Sequence, residues 1–314
     1  MPVLTLIFYI IIIPEGKKKS LTFFLHLFYF SSVSAIIRRK QPQEVEESMK
    51  FIKKSPVTLE LEKIEKEEKR LEQRALSCTE PSWKEALTAR IPPKMLENLQ
   101  KAFCMAFRTI FEKGNLLIEK TYRRDELEKD FKVRDFSLDL KESRKEYKKL
   151  RTEAARRNLK NQAVSAAEGL GLGLLGVGLP DIAIFTAMLL RGVYETALYF
   201  GFSYDTPEER FFILCLLEAS VSRGEQWAEN NARVDRLIYT LVQKKELTVS
   251  EEDLEAQIQA VGNAFAMDML AAKFIQGLPV VGAFGGLSNP VCWKQVMTYV
   301  QLKYRKRYLM GKTG

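Results

Sequence analysis

GLGLGLLGVGLPDIAIFTAMLLRGVYETALYFGF, residues 169–202, is an almost uncharged run in a chain of which 28% is charged. Asp181, Arg191 and Glu195 are its only groups that ionise near neutral pH, and five glycines crowd residues 169–178. The pattern predicts a glycine-rich entry and a break at Leu179-Pro180-Asp181, since proline cannot continue a helix. After the break comes a helix that is buried or in contact with a membrane. No segment of any length in the rest of the chain alternates apolar and polar residues, so the fold expected is all-α. It is read as a multi-helix single domain built around two Gly/Pro-broken apolar helical segments.

The second such segment is FIQGLPVVGAFGGLSNPVCW, residues 274–293, which carries no charge at all. Both contain the word Gly-Leu-Pro, at Gly178-Leu179-Pro180 and at Gly277-Leu278-Pro279. Gly169 and Gly173, then Gly282 and Gly286, have the four-residue spacing that lets helix backbones approach closely in lipid or in a protein core. Together with Pro180, Gly277 and Pro279 they are the candidate contacts with a membrane or a partner. Each run approaches the roughly 20 residues that span a bilayer. The prolines, the glycines and the charges of the first run weigh against a clean span, so a soluble core or a shallow insertion is the more comfortable arrangement.

Gly171, Gly173 and Gly176 match the spacing of a dinucleotide-binding loop, but the context is wrong. The preceding residues 161–168 are polar and alanine-rich rather than strand-like, and Pro180 interrupts where the phosphate-binding helix should run. No Gly-Lys-Ser or Gly-Lys-Thr follows, so there is no P-loop. No cofactor is expected.

The 314 residues carry a net charge of +9, which favours anionic partners such as acidic protein faces or an anionic membrane surface. The only histidine is His26, so a Ser-His-Asp site and a multi-histidine metal site are unavailable, and no metal is expected. Four widely spaced cysteines, without a CxxC, fit a reducing, cytoplasmic compartment.

Residues 1–48 look foreign to the remainder. Their runs at residues 4–13 and 21–37 read as an anchor with positive flanks. In the favoured alternative, Val45-Glu46-Glu47-Ser48 reflects a purine-rich, ribosome-binding-like run, Met49 is the start, and residues 1–48 are untranslated. Residues 49–314 then form the helical domain. Within it, apolar Leu59, Leu61, Ile64 and Leu71 mark a charged helix, and a short helix is expected over residues 83–90. Met95, Leu96, Leu99, Phe103, Phe107, Ile110 and Phe111 mark a one-sided helix over residues 94–122. Residues 123–161 read as one or two long polar helices anchored by Leu127, Phe131 and Phe136. Acids interrupt every basic run there, which points away from nucleic acid and toward a solvated face.

Thr206 is the expected cap of the next helix, with Pro207 in its first turn and Glu208 and Glu209 complementing its dipole. That helix continues apolar nearly all round and is therefore expected to be buried. Helices follow over residues 225–245, from a capping start at Thr248-Val249-Ser250-Glu251 to Gln276, and from Pro290 into a basic end at Lys303–Arg307. Trp227 and Trp293 are expected in the core. The candidate functional polar patch is Asp181, Arg191 and Glu195. Capping by Asp181 and i,i+4 pairing of Arg191 with Glu195 are the structural duties that compete with function there. No catalytic residue is assigned.

GLPDIAIFTAMLLRGVYETALYFGFSYDTPEERFFILCLLEAS and GLPVVGAFGGLSNPVCWKQV closely resemble the EcsC protein family, over a span from Glu60 to Tyr308. The resemblance implies a bacterial, mainly helical protein whose namesake is encoded beside an ABC transporter linked to protein secretion. It makes ABC transporter subunits candidate partners and leaves the role of this component undefined. The leading expectation is a non-enzymatic accessory or regulatory role at the cytoplasmic membrane face, exercised through the apolar Gly-rich unit, the basic surface, or both. The resemblance carries over no catalytic residue. The alternative class is a carboxylate-dependent hydrolase using Asp181 and Glu195.

Overall fold

The chain is described by a computed structural model covering residues 54–77, 92–111, 118–165, 180–275 and 290–313. Its compact unit is Ser55–Gly314, and the described residues are helical without a strand. The helices are α1 Pro56–Ser77, α2 Pro93–Thr109, α3 Arg124–Leu140, α4 Arg144–Ser165, α5 Pro180–Tyr199, α6 Pro207–Val221, α7 Gly224–Val242, α8 Glu251–Ile275 and α9 Pro290–Gly311. Residues 1–48, the helix expected over 83–90, and Gly169, Gly173, Gly277, Pro279, Gly282 and Gly286 lie outside the described residues, as does the side chain of Asp181.

Helices α5, α6 and α9 form the interior. α5 lies against α2, α3, α4 and α9, and α6 lies against α7, α8 and α9. α6 is apolar nearly all round and is buried without interruption from Phe212 to Val221, as a helix without a polar stripe must be. α5 is long and apolar enough over Ile182–Tyr199 to cross a membrane, and 89% of that window is buried against the other helices. Trp227 and Trp293 are buried as expected.

The caps follow from local chemistry. Thr206 Oγ1 accepts from the Glu209 amide, and Pro207 occupies the first turn of α6. Ser250 and Asp253 cap α8 reciprocally, through Asp253 N to Ser250 Oγ at 3.1 Å and Ser250 N to Asp253 Oδ2 at 3.0 Å. α5 closes in a Schellman turn, with Phe202 N donating to Ala197 O and Gly201 N to Leu198 O. Gly201 sits at φ +82, and the Phe131 ring occupies the place a Cβ would need.

α2 continues into a wider helical turn at Ile110 and Phe111, and residues 112–117, across which the expected helix would reach Tyr122, lie outside the described residues. One expectation is corrected. Phe136 does not anchor α3: it is 64% exposed, while Leu127 and Leu138 face inward. The basic end of α9 is enclosed, with Lys303, Arg305 and Arg307 all buried. They turn inward to meet acids from other helices. Lys303 Nζ lies 2.5 Å from Glu68 on α1 and 2.6 Å from Asp235 on α7, and Arg305 meets Glu67 at 2.7 Å. With Glu60 paired to Arg151 on α4 at 3.3 Å, α1 is held by ions as much as by its apolar residues Val57 and Ile64. This is how a helix so rich in charge docks at all.

Candidate functional site

Arg191 and Glu195 sit one turn apart on α5, and Arg191 Nε donates to Glu195 Oε1 at 3.0 Å with both side chains almost enclosed. A buried guanidinium needs such a partner, since an unpaired one would lose its hydration without compensation. Asp181 is fourteen residues before Glu195 on the same helix, a rise of about 21 Å. The helix therefore brings Arg191 and Glu195 together and leaves Asp181 at the opposite end.

Beside the pair lies a cluster that the sequence did not point to, formed where the turn after α5 meets the start of α3. Tyr204 is fully buried and stacks on Tyr194 of α5, with ring centroids 4.1 Å apart and planes at 12°. Its hydroxyl donates to Glu119 Oε1 at 2.7 Å and accepts from the Tyr122 hydroxyl at 2.5 Å. Arg124, at the first position of α3, closes the cluster. It donates to Glu119 at 3.2 Å, to Glu128 at 2.9 Å and bidentately to Asp205 at 2.5 and 3.1 Å, and lies 4.8 Å over the Tyr204 ring. Asp205 also accepts from Ser203 Oγ at 2.5 Å. The Tyr-Asp-Thr-Pro-Glu-Glu turn thus has a split role: Tyr204 and Asp205 tie α5 to α3, Thr206 caps α6, and Glu209 enters the core. Its spacing announced only the cap.

The electrostatics favour fixed charge over proton transfer. Burial pushes the Tyr122 phenol far above its ordinary range, and the charges of Glu119 and Glu195 add to that rise. Glu195 therefore acts on the same cluster. Burial does the same to Tyr194 and Tyr204. The Arg124 hydrogen bonds hold Asp205 below the usual carboxylate range. Burial also raises the Cys104 thiol, and pushes the Cys215 thiol up to about 12. These phenols and thiols stay protonated at neutral pH, so none is poised as a base or a nucleophile.

A pH prediction follows. Tyr122, Tyr194, Tyr204, Tyr299, Tyr304 and Tyr308 all have folded-state pKa values raised above the unfolded value near 10. Their contribution to stability is complete below about pH 10 and is lost as the pH climbs through the folded values, because only the unfolded chain releases those protons. Lys303, lowered by burial, acts in the opposite sense up to the ordinary lysine range. Phenolate absorbance is expected to rise together with loss of helical circular dichroism above about pH 10. Smooth titration of these phenols with helicity intact would contradict their burial.

Elsewhere, described residues line two further clefts. One of 380 Å³ is lined by Glu218, Ser222, Arg223, Gln226 and Asp268, with Arg223 and Asp268 paired at 2.6 Å. The other, of 540 Å³, lies between α2, α6 and α8 beside Arg108, Arg210 and Glu255. Among the described residues, no group of three or more His, Cys, Asp or Glu side chains is arranged to hold a metal ion.

A helical bundle with a closed, internally paired polar cluster beside its central apolar helix defines the class. Within that class, the pattern of the EcsC protein family matches residues 55–309, and the chain belongs to that family. No curated protein and no solved structure matches it.

Proposed function

We propose that the protein is a non-enzymatic accessory or regulatory component acting at the cytoplasmic face of the membrane, in company with the subunits of an ABC transporter linked to protein secretion. One observation carries the reading: the charges around Tyr204 and Glu195 are spent on one another. Arg124 engages Glu119, Glu128 and Asp205, and Arg191 engages Glu195. An arrangement so closed holds α3, α5 and α6 in place and suits a scaffold that presents a surface. Family membership and the net charge of +9 support the same reading.

Cell fractionation tests it. The protein is expected to sediment with membranes, to be released by high salt or carbonate, and to be crosslinked to the transporter's membrane subunit. Protein found wholly in the soluble fraction, without such a crosslink, would sink the proposal. Glu195→Gln, which weakens the pair with Arg191, should lower the melting temperature and leave membrane association intact. Lost association at an unchanged melting temperature would give the pair a direct role and overturn its assignment as scaffold.

A further inference from the structure

The outer face of α3 bears three large apolar side chains in two turns: Val133, Phe136 and Leu140 are 67%, 64% and 73% exposed. Positions i, i+3 and i+7 lie along one stripe of a helix, so the three form a single ridge. The inward face of α3 has its own apolar set in Leu127, Phe131 and Leu138, packed on the core, so the outer ridge adds nothing to folding.

Lysines surround the ridge. Lys129 lies one turn before Val133, Lys132 one turn before Phe136, and Lys141 directly after Leu140; all three are exposed and make no ion pair among the described residues. Arg144 and Lys145 continue the basic surface where α4 begins, and are exposed as well. Most of the acids interleaved with them in sequence are held elsewhere, while Asp125 and Glu142 are exposed and leave the lysines and arginines in excess. Asp130 is paired with Arg157 at 2.7 Å; Asp135 and Asp139 are paired with Lys312 at 2.8 and 2.6 Å; and Glu126 is paired with Arg123 at 2.7 Å. What α3 offers outward is thus apolar at its centre and net basic at its rim.

We propose that this face of α3 is a docking surface for an anionic lipid bilayer, with Val133, Phe136 and Leu140 entering the headgroup region and Lys129, Lys132 and Lys141 meeting lipid phosphates. The proposal rests on the membrane-face reading above and says which surface performs it. Charge and composition select the occupant. An apolar ridge with a lysine border is what lies in a membrane interface, where each basic residue near an anionic surface adds to binding. Protein partners are a poorer fit, because lysine is depleted from protein–protein interfaces. Nucleic acid would use the lysines but has no use for exposed valine and leucine.

The test is sedimentation of the purified full chain with vesicles of phosphatidylethanolamine and phosphatidylglycerol, against vesicles of phosphatidylcholine. The wild type is expected to bind the anionic vesicles. Lys129→Gln, Lys132→Gln and Lys141→Gln together should weaken binding on the order of a hundredfold. Phe136→Ser should weaken it at least about tenfold. Both variants should keep the wild-type melting curve, since these side chains are exposed. A charge-matched control, Lys66→Gln with Lys69→Gln and Arg70→Gln on the exposed part of α1, should bind nearly as the wild type does.

If the α3 variants bind like the wild type, or the α1 control loses as much, the assignment of this face is overturned and the membrane-face role still stands. If the wild type ignores anionic vesicles, the bilayer is overturned as occupant, and fractionation alone decides the broader role. A Phe136→Ser variant that turns a dimer into a monomer would show the face to be a contact between copies of the chain, which also overturns the proposal.

Discussion

Replacing Glu209 with alanine is expected to lower the free energy of unfolding by about 3–5 kcal/mol. Glu209 is the third residue of α6 and is buried, with its side chain turned away from the helix start and into the bundle. There Oε1 accepts from the Tyr304 hydroxyl at 2.7 Å and Oε2 from Arg307 Nη1 at 2.6 Å. The Arg307 guanidinium is packed 4.0 Å over Phe202 and 5.1 Å from the Phe212 ring centroid. Alanine would leave a cation and a hydroxyl enclosed among aromatic rings with no acceptor. The loss would be a large fraction of the roughly 5–15 kcal/mol that keeps a protein folded. Glu209→Met combined with Arg307→Met removes both charges and should recover most of the loss. Urea unfolding midpoints at neutral pH measure both. A single-variant loss under about 1 kcal/mol, or a double variant worse than the single, would refute this account of the pair.

The second large effect is expected at Gly262, where Gly262→Val should cost roughly 3 kcal/mol or more. Gly262 lies in α8 against α2. A Cβ there would sit 2.3 Å from Cys104 Sγ and 3.1 Å from the Cys104 backbone nitrogen. The crossing is otherwise well filled: Phe265 meets Phe103 and Phe107 at 5.7 and 5.9 Å, and Cys104 Sγ donates to Gln259 Oε1 at 3.3 Å. Valine adds bulk toward the α2 backbone, which cannot yield without moving the helix. The sulfur is the more yielding obstacle. Gly262→Ala should therefore cost less in a Cys104→Ala background than in the wild type, with a coupling of about 1 kcal/mol. Thermal melts of the four variants in that cycle measure it. Additive effects would mean that the two helices do not meet at this pair.

Close approach between helices was expected at the four-residue glycine spacings of the two apolar segments. Those glycines lie outside the described residues; among the described ones, close approach occurs at Gly262 and at Gly192, where a Cβ would come within 3.2 Å of Trp293 and Met297 of α9. Neither glycine stands out in sequence. Each is an ordinary residue of an apolar helix until the neighbour's position is known.

The Arg191–Glu195 pair was legible because its partners are local, one turn apart on the same helix. The Tyr204 cluster was not. Tyr122, Arg124 and Glu119 lie some eighty residues from Tyr204 and Asp205, and no helical period links them. Lys303 with Glu68 and Asp235, and Glu209 with Arg307, were hidden for the same reason.

By itself the amino-acid sequence determined the all-α class, the family, the caps at Thr206 and Ser250, and the burial of α6. Each of these depends on residues within a turn or two of one another, or on a run so apolar that it has no other place to go. Only the tertiary structure decided which way the charged and mixed helices face. α3 carries apolar residues on two sides, Leu127 and Leu138 on one and Val133, Phe136 and Leu140 on the other, and α9 carries lysine and arginine where apolar residues would be expected. Helical periodicity states which residues share a face. It cannot state which face meets an aspartate from another helix and which meets solvent, and that choice sends Lys303 and Arg307 inward and Phe136 out.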